Sequence, residues 1–226
     1  MPAYSYLKSD IINTSENDST EFANQIPNFI DKAERRLTYY LDDYGMDEYM
    51  NVSVSSGNAA LVTLNDRTRI VRNINYVVSN GTTVTNLLPR TIEYAKDYWP
   101  VSASVGTPRY YSRTNNTNIK IVPTPTSTIT AEIQTQSRPL ALSSATGTSV
   151  TTSNYFSEYC YDALFQACML EATIFMKDWN TVQFWKTTYD ESINGLRNQA
   201  RRTRQDDMAV AASPAGGADT IIQGAS

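Results

Sequence analysis

The chain has 226 residues, a formal net charge of -4 and 41% hydrophobic residues. This length is enough for one large domain or two small ones, and the negative charge disfavours attraction to nucleic acid. Histidine is absent from the sequence, which removes the commonest general base and metal ligand. The composition therefore favours a protein that acts through its surfaces over one that performs catalysis.

Two helices are predicted near the start of the chain. Apolar side chains recur at three- and four-residue steps over residues 26–41, which indicates an amphipathic helix. Pro27 would lie in its first turn, where the missing N–H is tolerated. Residues 4–13 predict a shorter helix, and residues 14–20 are interpreted as a polar turn between the two.

A strand-type pattern begins at about Tyr49. Apolar and polar side chains alternate at residues 52–54, 70–78 and 129–135, which predict half-buried strands. Residues 109–112 and 119–122 are interpreted as a strand and its return around a turn at residues 115–118. Hairpin-type turns are predicted at Ser56-Gly57-Asn58 and Asn80-Gly81. Residues 91–99 predict a short helix ended by Pro100, and residues 141–153 are interpreted as an exposed loop.

Two further amphipathic helices are predicted after the β-region. Asn154 can cap the first, whose apolar stripe continues to about Lys177. Asn180 and Gln183 have the spacing of a capping box for the second, and the short connection predicts a helical hairpin. Beyond Met208 the chain is rich in Ala, Gly and Ser, which predicts disorder in isolation.

These elements predict an α+β fold. An antiparallel bundle of the N- and C-terminal helices would carry an inserted β-rich region that is sandwich- or barrel-like. The predicted division is a helical part of residues 1–47 and 154–208, a β-rich insert of residues 48–153, and a flexible tail of residues 209–226. Neither a signal peptide nor an apolar run long enough to cross a membrane is predicted.

Catalytic and metal-binding patterns are not found in the sequence. Cys160 and Cys168 would lie about 12 Å apart along one helix, too far for a disulfide, and are interpreted as small buried residues. The pairs Asp42-Asp43 and Asp206-Asp207 point in different directions on a helix. No enzyme activity, cofactor or metal is therefore predicted.

The order of three motifs resembles that of the head-to-tail adaptor (connector) proteins of short-tailed bacteriophages. The motifs run from Ile26 to Leu37, from Gly106 to Tyr111 and from Ile119 to Pro125. An aromatic- and alanine-rich helical pair follows them, and the resemblance covers about residues 20–205.

The resemblance implies a structural virion protein of the phage neck, assembled in the host cytoplasm. Such a protein forms a homo-oligomeric ring, twelve-fold by analogy, that joins the portal protein to a tail nozzle or tail fibre protein. Genomic DNA passes through the ring without sequence-specific binding, and no membrane is involved. The purified chain is expected to be monomeric or weakly associated until a portal template is present.

Three groups of residues are predicted to make these contacts. The portal interface is predicted at Arg197, Arg201, Arg202, Arg204 and Met208. The channel lining is predicted at Asp42, Asp43, Asp47 and Glu48, where carboxylates would repel DNA. Docking of the tail or fibre is predicted at Tyr110, Tyr111 and Trp179.

Each group also has an ordinary structural interpretation. The arginines suit a solvated helix C-terminus, and the acids suit a solvated turn or pairing with a neighbour's arginine. Tyr111 and Trp179 suit core packing.

Two rival functions are also compatible with the sequence. The Tyr-, Asn- and Thr-rich β-region also suits a carbohydrate- or receptor-binding module of a tail fibre. The arginine-rich helix end suits DNA binding, which the net charge of -4 disfavours.

Overall fold

The computed structural model describes residues 3–56, 61–77, 84–101, 103–145 and 150–212, with side chains described as far as residue 205. The elements in chain order are α1 (Tyr4–Ser15), α2 (Thr20–Tyr40), a 3-10 turn (Tyr44–Met46), β1 (Asp47–Val54), β2 (Leu61–Thr63), β3 (Thr68–Val77), β4 (Val84–Asn86), β5 (Leu88–Pro89), α3 (Ile92–Tyr98), β6 (Tyr110–Arg113), β7 (Asn118–Val122), β8 (Ile129–Ser137), β9 (Ala141–Leu142), β10 (Val150–Thr151), α4 (Tyr155–Tyr159), α5 (Tyr161–Phe175) and α6 (Trp179–Ala212). The predicted α+β class is confirmed.

The chain divides into two compact units. One consists of Met1–Asp42 and Ala141–Ser226, and the other of Asp43–Leu140. The sequence pattern placed the divisions after residues 47 and 153, further along the chain in both cases. The difference arises because β1 already begins at Asp47, while β9 packs against α2 within the first unit.

In the helical unit, α5 is the central element and contacts α1, α2, α4 and α6. The largest fully buried side chains of this unit come from α1, α2 and α4: Leu7, Ile11, Phe22, Ile26, Ile30, Leu37 and Phe156. These positions recur at helical spacing, so each helix presents one apolar stripe to its neighbours.

The predicted start of α2 is wrong. The helix begins at Thr20, and the Ser19 hydroxyl accepts a hydrogen bond from the Phe22 backbone N–H at 3.3 Å. Pro27 therefore lies inside the helix, where its ring removes one intrahelical hydrogen bond. Phe22 and Ile26, which both precede Pro27, are buried, and this burial offsets the cost.

Three predictions about the C-terminal half are also wrong. The helix predicted from Asn154 to Lys177 is interrupted at Cys160, whose backbone has φ -128° and ψ 32°. Asn180 lies inside α6 and caps nothing; instead Thr181 Oγ1 donates to Asp178 Oδ2 at 2.7 Å at the start of the helix. The predicted loop of residues 141–153 contains the parallel pair of β9 and β10.

Other predictions for this half are confirmed or untested. Asn154 caps α4, in a capping box with Ser157. The last helix, α6, extends to Ala212, and the remainder of the predicted flexible tail lies outside the described residues.

The β unit contains two four-stranded sheets, with strand orders β1-β8-β3-β4 and β2-β7-β6-β5. The pairs within them are antiparallel except for β5 with β6. One hydrophobic cluster takes side chains from both sheets: Val54, Val62, Leu64, Ile74, Tyr76, Leu87, Tyr111, Ile119, Ile121, Ile129, Ala131 and Ile133. The arrangement is that of a small sandwich.

The predicted strands at the start of the β unit are confirmed, and its two predicted turns are not described in full. The alternation at Val52 and Val54 lies in β1, and that from Ile70 to Tyr76 lies in β3. The short strand β2 was not predicted. Gly57 and Asn58 of the first predicted turn, and Asn80-Gly81 of the second, lie outside the described residues.

Candidate assembly surfaces

The final helix, α6, is the longest described element, with 34 residues. At a rise of 1.5 Å per residue it extends about 50 Å. Tyr189, Ile193 and Ala200 are buried on its inner side, so this helix is anchored through its middle. The described side chains toward its two ends are largely exposed and differ in chemistry.

The arginines predicted to contact a portal lie toward the end of α6. Arg197, Arg201 and Arg202 are exposed. Arg204 differs, because its Nη2 lies 2.6 Å from Oδ1 of Asp42 in the same helical unit. The backbone of Met208 continues the helix, but its side chain is outside the described part. The portal contact remains a prediction for this group.

The first turns of α6 expose aromatic side chains, in contrast to the arginines toward its other end. Trp179, the first residue of the helix, is 67% exposed, and Phe184 is 62% exposed. The interpretation of Trp179 as a core residue is therefore wrong. Large exposed aromatic side chains are typical of the centres of protein interfaces, so Trp179 remains a candidate docking residue.

The four acidic residues predicted to line a channel have partners within the chain. Besides the pairing of Asp42 described above, Asp47 lies 2.8 Å from Arg72 and Glu48 lies 2.8 Å from Arg67. The Asp43 carboxylate accepts a hydrogen bond from a backbone N–H two residues later at 3.2 Å. Their charges are partly neutralised by these neighbours, and channel lining remains a prediction.

Tyr110 and Tyr111 lie in different environments, because adjacent residues of a strand point to opposite faces. Tyr111 is 7% exposed and belongs to the core of the β unit. Tyr110 is half-buried and forms edge-to-face contacts with Tyr94 and Tyr98 of α3, with ring centroids 5.5 and 5.2 Å away. The Arg90 guanidinium lies 5.4 Å from the centroid of the Tyr110 ring.

Sequence reasoning missed the buried carboxylate of Glu34. This side chain is 1% exposed, and its Oε1 accepts hydrogen bonds from the Leu142 backbone N–H at 3.1 Å and from Asn154 Nδ2 at 2.6 Å. It therefore joins α2 to the strand that re-enters the helical unit and to the cap of α4. Glu34 carried no distinguishing local signal in the sequence.

A second buried acid, Glu171 of α5, also went unpredicted. Its carboxylate pairs with Arg36 and lies 3.5 Å from Lys32 Nζ, both on α2. Nearby, complete burial raises the pKa of the Cys168 thiol well above its ordinary value, and the negative charges of Glu34 and Glu171 raise it further. This thiol is therefore held protonated, as expected for a structural cysteine.

The described residues contain no group of three or more His, Cys, Asp or Glu side chains that could hold a metal ion. The surfaces described above offer charged groups and exposed aromatic side chains, through which proteins commonly bind other proteins. Within the described part of the chain, no helix is both long enough and apolar enough to cross a membrane.

Comparison with known proteins identifies the family. No curated protein matches the chain. The profile of the family described as SU10 adaptor protein matches residues 3–214, nearly the whole length. The chain therefore belongs to the SU10 adaptor protein family, which confirms its resemblance to bacteriophage head-to-tail adaptors.

Proposed function

We propose that the chain forms a ring, with twelve copies as the working number, that joins the portal to the tail nozzle or tail fibres in the neck of the phage particle. Genomic DNA passes through the centre of this ring. The membership of an adaptor family supports a structural role in the particle. The ring, its partners and the channel are the parts of the proposal that go beyond family membership.

The observation that carries the proposal is the asymmetry of α6. Its first turns expose Trp179 and Phe184, and its distal turns expose Arg197, Arg201 and Arg202. Trp179 and Arg204 are roughly 38 Å apart along the axis. A rigid helix with an aromatic end and a basic end suits a part that contacts two different proteins.

Each end is assigned one partner in the proposal. The basic end contacts the portal, where charge-assisted hydrogen bonds from arginine to carboxylate are strong and directional. The aromatic end contacts the tail nozzle or fibre protein, where Trp side chains act as anchors. The channel is lined by Asp42, Asp43, Asp47 and Glu48, and the net charge of -4 limits adhesion of DNA during passage.

Reconstitution with the portal protein encoded by the same phage tests this function. The full chain is mixed with purified portal rings, and the product is examined by electron microscopy. An additional ring of density on one end of the portal is expected, with loss of that ring for Arg201→Glu combined with Arg202→Glu. Lys96→Glu, an exposed charge reversal on α3, is the matched control. Portal rings that remain bare with the wild-type chain would contradict the proposal.

A glycan-binding function is the second candidate, because one specific cluster favours it. Tyr94 and Tyr98 are each 39% exposed and stack with ring centroids 5.8 Å apart, beside Arg90. Exposed aromatic side chains can serve as platforms for ligands. Binding of the wild-type chain on a glycan array, lost for Tyr94→Ala, would favour this candidate over the adaptor ring.

A further inference from the structure

A groove lies on the helical unit between the start of α5 and the middle of α6. Its volume is about 270 Å³, and its lining includes Tyr159, Tyr161, Asp162, Ser192, Gly195 and Gln199. Tyr159 is 71% exposed beside it. The groove therefore combines aromatic area, a carboxylate and small residues in a surface depression.

Gly195 keeps the groove open although the fold does not require a glycine there. Beyond its own helix backbone and chain neighbours, a Cβ at this position would meet no atom of the described residues within 4 Å, so no close approach among them demands a glycine. Glycine also weakens a helix interior relative to alanine. The space beside Gly195 is therefore open to a side chain from outside the chain.

The opposite side of the same helix carries a complementary charge. Arg197 lies two residues from both Gly195 and Gln199. Because residues two apart differ by about 200° around an α-helix, Arg197 lies on the side of α6 away from these two groove residues. Arg197 is exposed, as is Asp162 in the groove. Neither side chain has an ion-pair partner among the described residues.

We propose that this groove receives the Arg197 side of α6 from a second copy of this chain, with Asp162 of one copy pairing with Arg197 of the next. The two surfaces are different and lie on opposite sides of α6. A contact between them is heterologous, and heterologous contacts produce closed rings when their rotation closes. Arg197 then contacts a neighbouring copy, while Arg201 and Arg202 remain available to the portal.

This inference rests on the proposed ring and assigns its subunit contact. The partner is a second copy because the chain itself supplies both the acidic groove and the basic side. Like charges brought together at such a contact suppress association, and opposite charges restore it. A double charge exchange within one chain therefore distinguishes this contact from a general effect of either residue.

The test uses a phage that lacks the gene for this chain, grown in cells that supply each variant. The number of copies per particle is measured by quantitative mass spectrometry relative to the portal protein. Asp162→Arg and Arg197→Asp are each expected to lower incorporation by about tenfold or more. The double variant Asp162→Arg/Arg197→Asp is expected to recover to within about twofold of wild type. Lys96→Asp serves as the control for charge reversal.

Gly195→Leu provides a second variant that separates contact from folding. Because the added side chain enters open space and improves helix propensity, the melting temperature of the purified chain should equal or exceed that of wild type. Incorporation should nevertheless fall by about tenfold, since the leucine fills the groove.

The outcomes separate this contact from the broader proposal. Normal incorporation of Gly195→Leu, or no recovery in a folded double variant, would overturn the groove contact and leave the adaptor function intact. Absence of the wild-type chain from particles would instead contradict the proposed function itself.

Discussion

The side-chain amide of Asn154 donates a hydrogen bond to the buried carboxylate of Glu34 at 2.6 Å. Asn154 also caps α4, and the same carboxylate oxygen accepts from the Leu142 backbone N–H. One charged side chain thereby connects three segments that are distant in sequence. Hydrogen bonds to a buried charged group are strong, and their donors have no access to water if the acceptor is removed.

Glu34→Ala is expected to lower the free energy of unfolding by about 3 kcal/mol, because it leaves buried donors without their acceptor. Urea denaturation followed by circular dichroism measures this loss. Glu93→Ala, which removes an exposed carboxylate on α3, should change stability by about 0.5 kcal/mol or less. Similar losses for the two variants would contradict the structural role of Glu34.

Tyr189→Phe is expected to make the chain more resistant to alkali. The Tyr189 hydroxyl is buried without a hydrogen-bond partner among the described residues, and burial raises the pKa of this phenol above its ordinary value of 10.0. Below that value both the folded and the unfolded phenol are protonated. Above it only the unfolded phenol loses its proton, so stability falls by about 1.4 kcal/mol per pH unit for this group.

Denaturation at a series of pH values measures that slope. Tyr189→Phe should remove the contribution of this phenol to the fall in stability between about pH 10 and about pH 11. Near neutral pH the substitution should be neutral or slightly stabilising. Tyr161→Phe is the comparison: burial also raises the pKa of this phenol, but its hydroxyl donates to Asp10. This variant should therefore lose stability at neutral pH. Equal behaviour of the two variants at neutral pH would be inconsistent with the structure.

Tyr111→Ala should lower the free energy of unfolding by about 3–4 kcal/mol, because it removes a large side chain from the core of the β unit. Tyr110→Ala should cost about 1 kcal/mol, since its ring lies at the surface among other aromatic rings. Chemical denaturation of both variants tests this difference. A larger loss for Tyr110 than for Tyr111 would reverse the assignment of the two faces.

Local patterns were sufficient to predict many of the elements. The alternation around Ile129 to Ile133 indicated a half-buried strand, and both side chains are buried in β8. Asn154 was recognisable as a cap because capping depends on a short range of residues. In contrast, Pro27 was misleading, since the tertiary burial of Phe22 and Ile26 allows α2 to continue through it.

The larger omissions concern relationships between distant residues. The order β1-β8-β3-β4 joins strands that are far apart in the chain, and no local pattern specifies such pairing. The role of Glu34 depends on Leu142 and Asn154, so its sequence position alone carries no signal. The acidic residues were noticed, but the arginines that pair with them became evident only in the folded chain.

Trp179→Ala is expected to separate docking from folding. Because Trp179 is 67% exposed, its removal should change the free energy of unfolding by about 0.5 kcal/mol or less. Incorporation of the tail nozzle or fibre protein into particles should fall, while the chain itself is retained on the portal. Phe156→Ala, in the fully buried core, is the contrasting variant and should instead destabilise the fold. Normal tail attachment with Trp179→Ala would remove this residue from the docking surface.

Cryo-electron microscopy of the intact phage particle tests the central claim most directly. The neck density should contain this chain as a closed ring, with the basic end of α6 toward the portal and Trp179 toward the tail components. A neck built without this chain, in particles that nevertheless eject DNA normally, would contradict the assignment as a head-to-tail adaptor.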